Sequence, residues 1–185
     1  MRTFVALELN PEIRSHLSEL IALLSCSQSN IKWVREEGMH LTLKFLGEIP
    51  DKRISEIKTA IQEACDGHPS FSLSFKGTST FPHASVYPRV FWVGIEECKA
   101  LAALHKDLEI KLAKLHFPRE KRKFSPHLTL GRVKSKENLE PVLDELEKHR
   151  TADFGNLCVQ NVIFFKSTLK PSGAEYTRIA EFRLK

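Results

Sequence analysis

The tetrapeptide HLTL occurs twice, as His40-Leu41-Thr42-Leu43 and as His127-Leu128-Thr129-Leu130, about half a chain length apart. Residues two apart share one face of a β-strand, and the residues between them turn to the other. Each copy therefore presents an imidazole beside a hydroxyl, from a strand that two leucines anchor. One such strand is ordinary, because a strand histidine is usually a surface or hydrogen-bonded group. Two copies in the same setting put two imidazoles and two hydroxyls around one cleft. Imidazole titrates near pH ~6.5, so one ring can be neutral while the other carries a proton. That is what paired general base and general acid chemistry requires. Threonine hydroxyls can donate to the non-bridging oxygens of a phosphate. The set suits in-line displacement at phosphorus, one histidine activating the incoming oxygen and the other protonating the leaving oxygen.

Other uses of two histidines fit the neighbouring residues less well. A catalytic zinc site usually has three protein ligands, and no HExxH, paired carboxylates or CxxC accompany these histidines. A covalent phosphohistidine mechanism of the phospholipase D type needs lysine two residues after the histidine, where threonine stands here. The expectation is acid–base chemistry with no metal and no cofactor.

The elements that must hold the two motifs follow from periodicity. Thr3 to Leu9 alternates as a strand. Pro11 opens a helix whose stripe is Ile13, Leu17, Leu20, Ile21 and Leu24. "IKWVR" and "MHLTLKFLG" read as strands. Ile54, Ile57 and Ile61 mark a second helix, with Asp51 its candidate N-cap. Two further strands, "FSLSFKGTSTF" and "RVFWVGI", precede a long helix from Cys98. Then come "SPHLTLGRV" as a strand, "ENLEPVLDELEKHR" as a helix, and "LCVQNVIFFKSTL" and "AEYTRIAEFRL" as closing strands. Both halves run strand, helix, HLTL strand, helix, strand. The expected architecture is α+β: one domain over 1–185, a duplicated unit in two lobes whose antiparallel sheets face a central groove, with helices outside.

Several residues near the motifs keep two readings. Arg132 lies five residues past His127, so strict alternation points it away from the groove. A bulge at Gly131 would return it; otherwise it is a solvent-facing arginine at a strand end. Phe45 holds the equivalent place after His40. It could stack a base in the groove, but core packing is the expected fate of a strand phenylalanine. Trp33 and Phe124 flank the motif strands as candidate stacking platforms. Arg119, Lys121, Arg122 and Lys123 form a basic tract before the second motif, either a solvated loop or a contact for RNA phosphates. His83, in a loop with prolines, either lines the groove or is an exposed loop histidine, the latter being the expectation. His16, His68, His105, His116 and His149 receive no role.

Several stretches together resemble a known family, the 2H phosphoesterases, and within it the bacterial and archaeal RNA 2′,3′-cyclic phosphodiesterases, once called 2′-5′ RNA ligases. They are "RTFVALEL", "WVREEGMHLTLKFLGE", "FWVGIEE", "REKRKFSPHLTLGRVK" and "VIFFKSTLKPSGAEYTRIAEFRL". The resemblance implies a bilobal fold with facing motifs, and metal-free hydrolysis of an RNA 2′,3′-cyclic phosphate to a 2′-phosphate. It implies that His40 is the proton donor and His127 the acceptor, with Thr42 and Thr129 on the phosphate and Arg132 as the basic residue after the second motif. The expected partner is RNA with a cyclic phosphate end, or a small cyclic nucleotide, met by a monomer.

Composition is consistent with this. The chain has 185 residues, is 42% hydrophobic and 28% charged, and carries a formal charge of +5. Its pI of about 9.0 suits an anionic partner. No apolar run approaches the ~20 residues of a membrane span. The opening residues lack a signal-peptide pattern, and four scattered cysteines read as reduced thiols, so a cytoplasmic protein is expected.

Overall fold

Alternating stretches form strands and the 3.6-period stretches form helices. The computed structural model describes residues 1–83, 85–171 and 173–185. In chain order the elements are β1 (Arg2–Glu8), α1 (Pro11–Leu24), β2 (Ile31–Trp33), β3 (His40–Glu48), α2 (Ile54–Cys65), β4 (Phe71–Phe81), β5 (Val90–Ile95), α3 (Lys99–Ala113), β6 (His127–Val133), α4 (Glu140–Lys148), β7 (Asp153–Val159), β8 (Asn161–Lys170) and β9 (Gly173–Arg183). The Asn10 side chain caps α1 by accepting from the Ile13 N–H at 3.0 Å. The expected cap at Asp51 does not form. Asp51–Arg53 is a separate 3-10 turn, and α2 starts behind it at Ile54 without a side-chain cap.

The strands make two antiparallel sheets, in the orders β3-β1-β8-β9 and β2-β6-β5-β4-β7. The fold is α+β, with the sheets facing a central groove. The duplication is visible as β1-α1-β3-α2 against β5-α3-β6-α4. In each unit the HLTL strand pairs antiparallel with the strand before the helix, Glu8 standing opposite His40 and Gly94 opposite His127. Two segments leave their own half. β2 comes from the first half and pairs with β6. The stretch 157–169, which reads as one strand, is broken at Gln160, so that β7 joins the second sheet and β8 the first. The alternation of β7 ends at Gln160, and beyond it Val162 to Phe165 are buried on both faces with new hydrogen-bond partners.

Leu41, Leu43, Leu128 and Leu130 are all buried in the main core, with Phe75, Phe91 and Phe164. Burying one such side chain is worth roughly 1.5–3 kcal/mol. A second, smaller apolar cluster of Phe4, Ala6, Ile163 and Phe165, with Tyr176 against it, is separate from that core. The strands β3 and β6 approach one another where the lobes meet. Among the described residues no helix is long and apolar enough to cross a membrane. The four cysteines are unpaired, and burial pushes the Cys65 thiol up to about 12.

Candidate active site

Both motif strands carry a bulge at the same place. β1 pairs Ala6 with Thr42 and Val5 with Lys44, so Leu43 has no residue opposite. β5 pairs Trp92 with Thr129 and Phe91 with Gly131, so Leu130 has none. One extra residue reverses the alternation beyond it. Phe45 therefore joins His40 and Thr42 on the groove face, and is 64% exposed, while Lys44 turns inward and is buried. Arg132 joins His127 and Thr129, exposed and without an ion pair among the described residues. The expected core packing of Phe45 is thus overturned by the bulge. Gly131 matters in addition because Trp33 lies across it to stack on Phe91 at 5.9 Å. A Cβ there would sit 2.7 Å from the indole ring.

His40 rests on an aromatic floor. Phe4 stacks beneath it at 4.7 Å, Tyr176 meets it edge-on at 5.0 Å and Phe165 lies at 6.2 Å. Phe45 extends this floor, 6.1 Å from Phe4. Burial among these rings lowers the His40 pKa to about 4. The Gly38 carbonyl, which accepts a hydrogen bond from the ring, works against that fall, and the Arg14 charge adds to it. At neutral pH His40 is therefore uncharged in the free protein.

The surroundings of His127 are more open. Its Nδ1 donates to the Ser125 carbonyl at 2.8 Å, which leaves Nε2 for other work. Phe81 meets the ring edge-on at 5.1 Å, and Trp92 lies at 5.9 Å, itself stacked on Phe81 at 4.9 Å. Each motif histidine thus bonds the carbonyl two residues before it. Sequence reasoning missed Phe4, Phe165, Tyr176, Phe81 and Trp92. They come from strands distant in sequence, and nothing local marks them.

A cleft of about 750 Å³ adjoins His127, bordered by Trp92, Ser79, His83, Lys76, Lys123 and Arg150 among others. His83 is exposed there, its Nδ1 3.1 Å from the Ser79 hydroxyl. Of the basic tract, Lys123 borders this cleft. The proposed stacking platforms are already occupied: Trp33 covers Gly131, and Phe124 lies flat on His105 at 3.7 Å. Among the described residues, no three His, Cys, Asp or Glu side chains gather as a metal site would require.

Comparison with known proteins gives a consistent result. Residues 9–160 match the family described as the 2′-5′ RNA ligase superfamily. A Thermotoga maritima protein named RNA 2′,3′-cyclic phosphodiesterase is 38% identical, over 98% of this chain and 94% of its own. A Methanothermobacter thermautotrophicus protein of the same name is 31% identical, over 100% of this chain and 99% of its own. Among solved structures, a Thermus thermophilus protein superposes with a TM-score of 0.83 at 27% identity, over 100% of this chain and 98% of its own. Escherichia coli LigT complexed with 3′-AMP gives 0.79 at 22% identity, over 99% and 97%, a likeness of fold.

Proposed function

This chain belongs to the 2′-5′ RNA ligase superfamily, and we propose that it opens 2′,3′-cyclic phosphate ends of RNA to 2′-phosphomonoesters without a metal. The observation that carries this reading is the matched setting of His40 and His127. Both stand on strands of one design, hold a carbonyl two residues back, and precede a bulge at Leu43 or Leu130. In the reaction one imidazole takes a proton from water, whose oxygen bonds to phosphorus. The bond from phosphorus to the 3′ oxygen breaks, and the other imidazole gives that oxygen a proton. Thr42, Thr129 and Arg132 bind the non-bridging oxygens, Phe45 offers a face to a base, and a monomer carries the whole set.

The family resemblance makes His40 the donor and His127 the acceptor. Because His40 is neutral in the free protein, a donor role requires that it take up a proton as the phosphate anion arrives, since a nearby negative charge favours imidazolium. The reversed assignment, with His40 as base, is favoured by that same burial. A substrate whose leaving group needs no proton decides between them: it rescues the variant that lacks the acid.

The cleft beside His127 has room for RNA beyond the terminal nucleotide, and Lys123 on its border suits a phosphate, while Lys76 pairs with Glu96 at 3.4 Å and Arg150 with Glu147 at 3.1 Å. Ligation would use the same groups, with a 5′-hydroxyl in place of water. The other readings are action on a small cyclic nucleotide or a 2′-5′ linkage, and an RNA-end-binding protein without turnover. The test is incubation of a 2′,3′-cyclic phosphate oligonucleotide with the protein in EDTA. Full conversion to the 2′-phosphate is expected. A 3′-phosphate product, or activity that needs added zinc or magnesium, would overturn the mechanism, and binding without conversion would leave the end-binding reading.

A further inference from the structure

The bulge at Leu43 has a second result, which concerns the residue it turns inward. Lys44 is buried with its ammonium 2.7 and 2.8 Å from the two oxygens of Glu109 on α3, and donates to the Pro118 carbonyl at 2.6 Å. Glu109 also accepts the Glu120 N–H at 3.1 Å. Pro118 and Glu120 begin the loop that carries the basic tract to His127. One helical turn earlier, His105 lies flat against Phe124, three residues before His127, at 3.7 Å and an interplanar angle of 8°. The His105 ring also bonds the carbonyl of Leu43, the extra residue of the first bulge, and its Nε2 lies 3.8 Å from Glu109 Oε1. Two side chains of α3, four residues apart and on one face, thus hold the bulge of one motif strand and both ends of the loop entering the other.

A buried ion pair is weak support for stability, since a hydrophobic pair of like volume often does as well or better. What such a hydrophobic pair would lose here is the fastening of Pro118 and Glu120. We propose that His105, Glu109 and Lys44 form a positioning bridge that fixes the two catalytic strands relative to each other and locks the approach to His127. These residues touch no substrate; they act through Leu43, Phe124 and the loop. The catalytic part of this inference rests on the cyclic phosphodiesterase reading. The structural part does not.

The test uses two variants of the full chain. One is the double replacement Lys44→Met with Glu109→Leu, which keeps the buried volume. The other is His105→Phe, which keeps the stack on Phe124 and loses the bond to Leu43. With a 2′,3′-cyclic mononucleotide as substrate, kcat should fall by about 10- to 100-fold, since small misplacements of reacting groups cost about that much. KM should stay within about twofold and Tm within a few degrees, a split that a general loss of stability would not produce. Trypsin should also cut faster at Arg119, Lys121, Arg122 and Lys123 in the double variant. Should that variant fail to fold, His105→Phe alone decides on kcat. A folded variant with the wild-type kcat would overturn the bridge. If the wild-type protein turns over neither the cyclic mononucleotide nor a cyclic phosphate oligonucleotide, the activity reading fails instead. The trypsin comparison then decides the bridge: an unchanged cleavage rate in the double variant would refute it.

Discussion

The two motif strands share one backbone design and differ in what surrounds it. Each histidine bonds a carbonyl two residues back, and each strand gains a residue three positions after the histidine. Five positions after it, the first strand exposes Phe45 and the second Arg132. The first histidine is enclosed by Phe4, Phe165 and Tyr176, while the second stands beside an open cleft. Symmetry of the backbone puts the two imidazoles in equivalent places. Asymmetry of their neighbours buries His40 among aromatic rings, which lowers its pKa to about 4, and leaves His127 beside the cleft. In-line displacement needs both, because its two oxygens enter and leave on opposite sides and require opposite proton transfers.

The sharpest way to break this comparison is to remove each histidine in turn. His40→Ala and His127→Ala should each lose about 10²–10⁴-fold in kcat/KM on a cyclic phosphate. The double variant should be little worse than the weaker single one, since the pair acts as a unit. On a p-nitrophenyl phosphodiester the variant lacking the acid should recover much of its rate, and the other should not. Rescue of neither would end the two-sided reading of the repeat.

The next largest effect separates the strands by pH. Burial lowers the His40 pKa from 6.5 to about 4 in the folded protein. Above pH 6.5 the ring is neutral in both folded and unfolded chains, and the folded state loses nothing. As pH falls from 6.5 toward 4, the unfolded chain binds a proton that the folded chain does not. Stability should therefore drop by up to about 3 kcal/mol over that window. His40→Phe keeps the aromatic floor and should remove this part of the acid sensitivity. Denaturant unfolding at pH 7 and pH 4.5 measures it, and an unchanged pH dependence in the variant would show that His40 is not the group responsible.

Smaller effects test the fifth positions. Arg132→Ala should lower kcat on a mononucleotide by about 10- to 100-fold, the worth of hydrogen bonds from a charged donor. Phe45→Ala should raise KM by about tenfold and leave kcat nearly unchanged, since stacking on a base is largely uniform binding. Equal effects of both replacements on kcat would mean that the two positions are not divided between base and phosphate. Smallest of all, removing charge at Lys121, Arg122 and Lys123 should flatten the salt dependence of oligonucleotide binding while sparing mononucleotides.

The repeat and the strand-helix order are legible in the sequence because each depends on local periodicity. Leu41 and Leu43, or Leu128 and Leu130, announce a buried face, and the histidines and threonines fall on the other. The bulges are not legible that way. Which residue is extra depends on the partner strand, so alternation alone assigns Phe45 to the core and leaves Arg132 undecided. Trp33 and Phe124 are adjacent to the motifs in sequence, yet their rings are already covering Gly131 and His105. His105 looks like any helix residue until Leu43 and Phe124 arrive from either side of it.

The exchange of strands between the halves also bears on when the setting of His40 is complete during synthesis. The floor under His40 requires β1 to pair with β8 and β8 with β9, so that Phe4 meets Phe165 and Tyr176. Those contacts join the first and last parts of the chain, a high contact order that slows folding. While the ribosome is still making β8 and β9, the second sheet has all its strands but the first has only β1 and β3. At that stage His127 stands in a sheet with all its strands, and His40 on the β1–β3 pair alone, without Phe165 and Tyr176 beneath it. The burial that lowers the His40 pKa is therefore finished only when the last strands, which bring Phe165 and Tyr176 beneath the ring, have joined the first sheet.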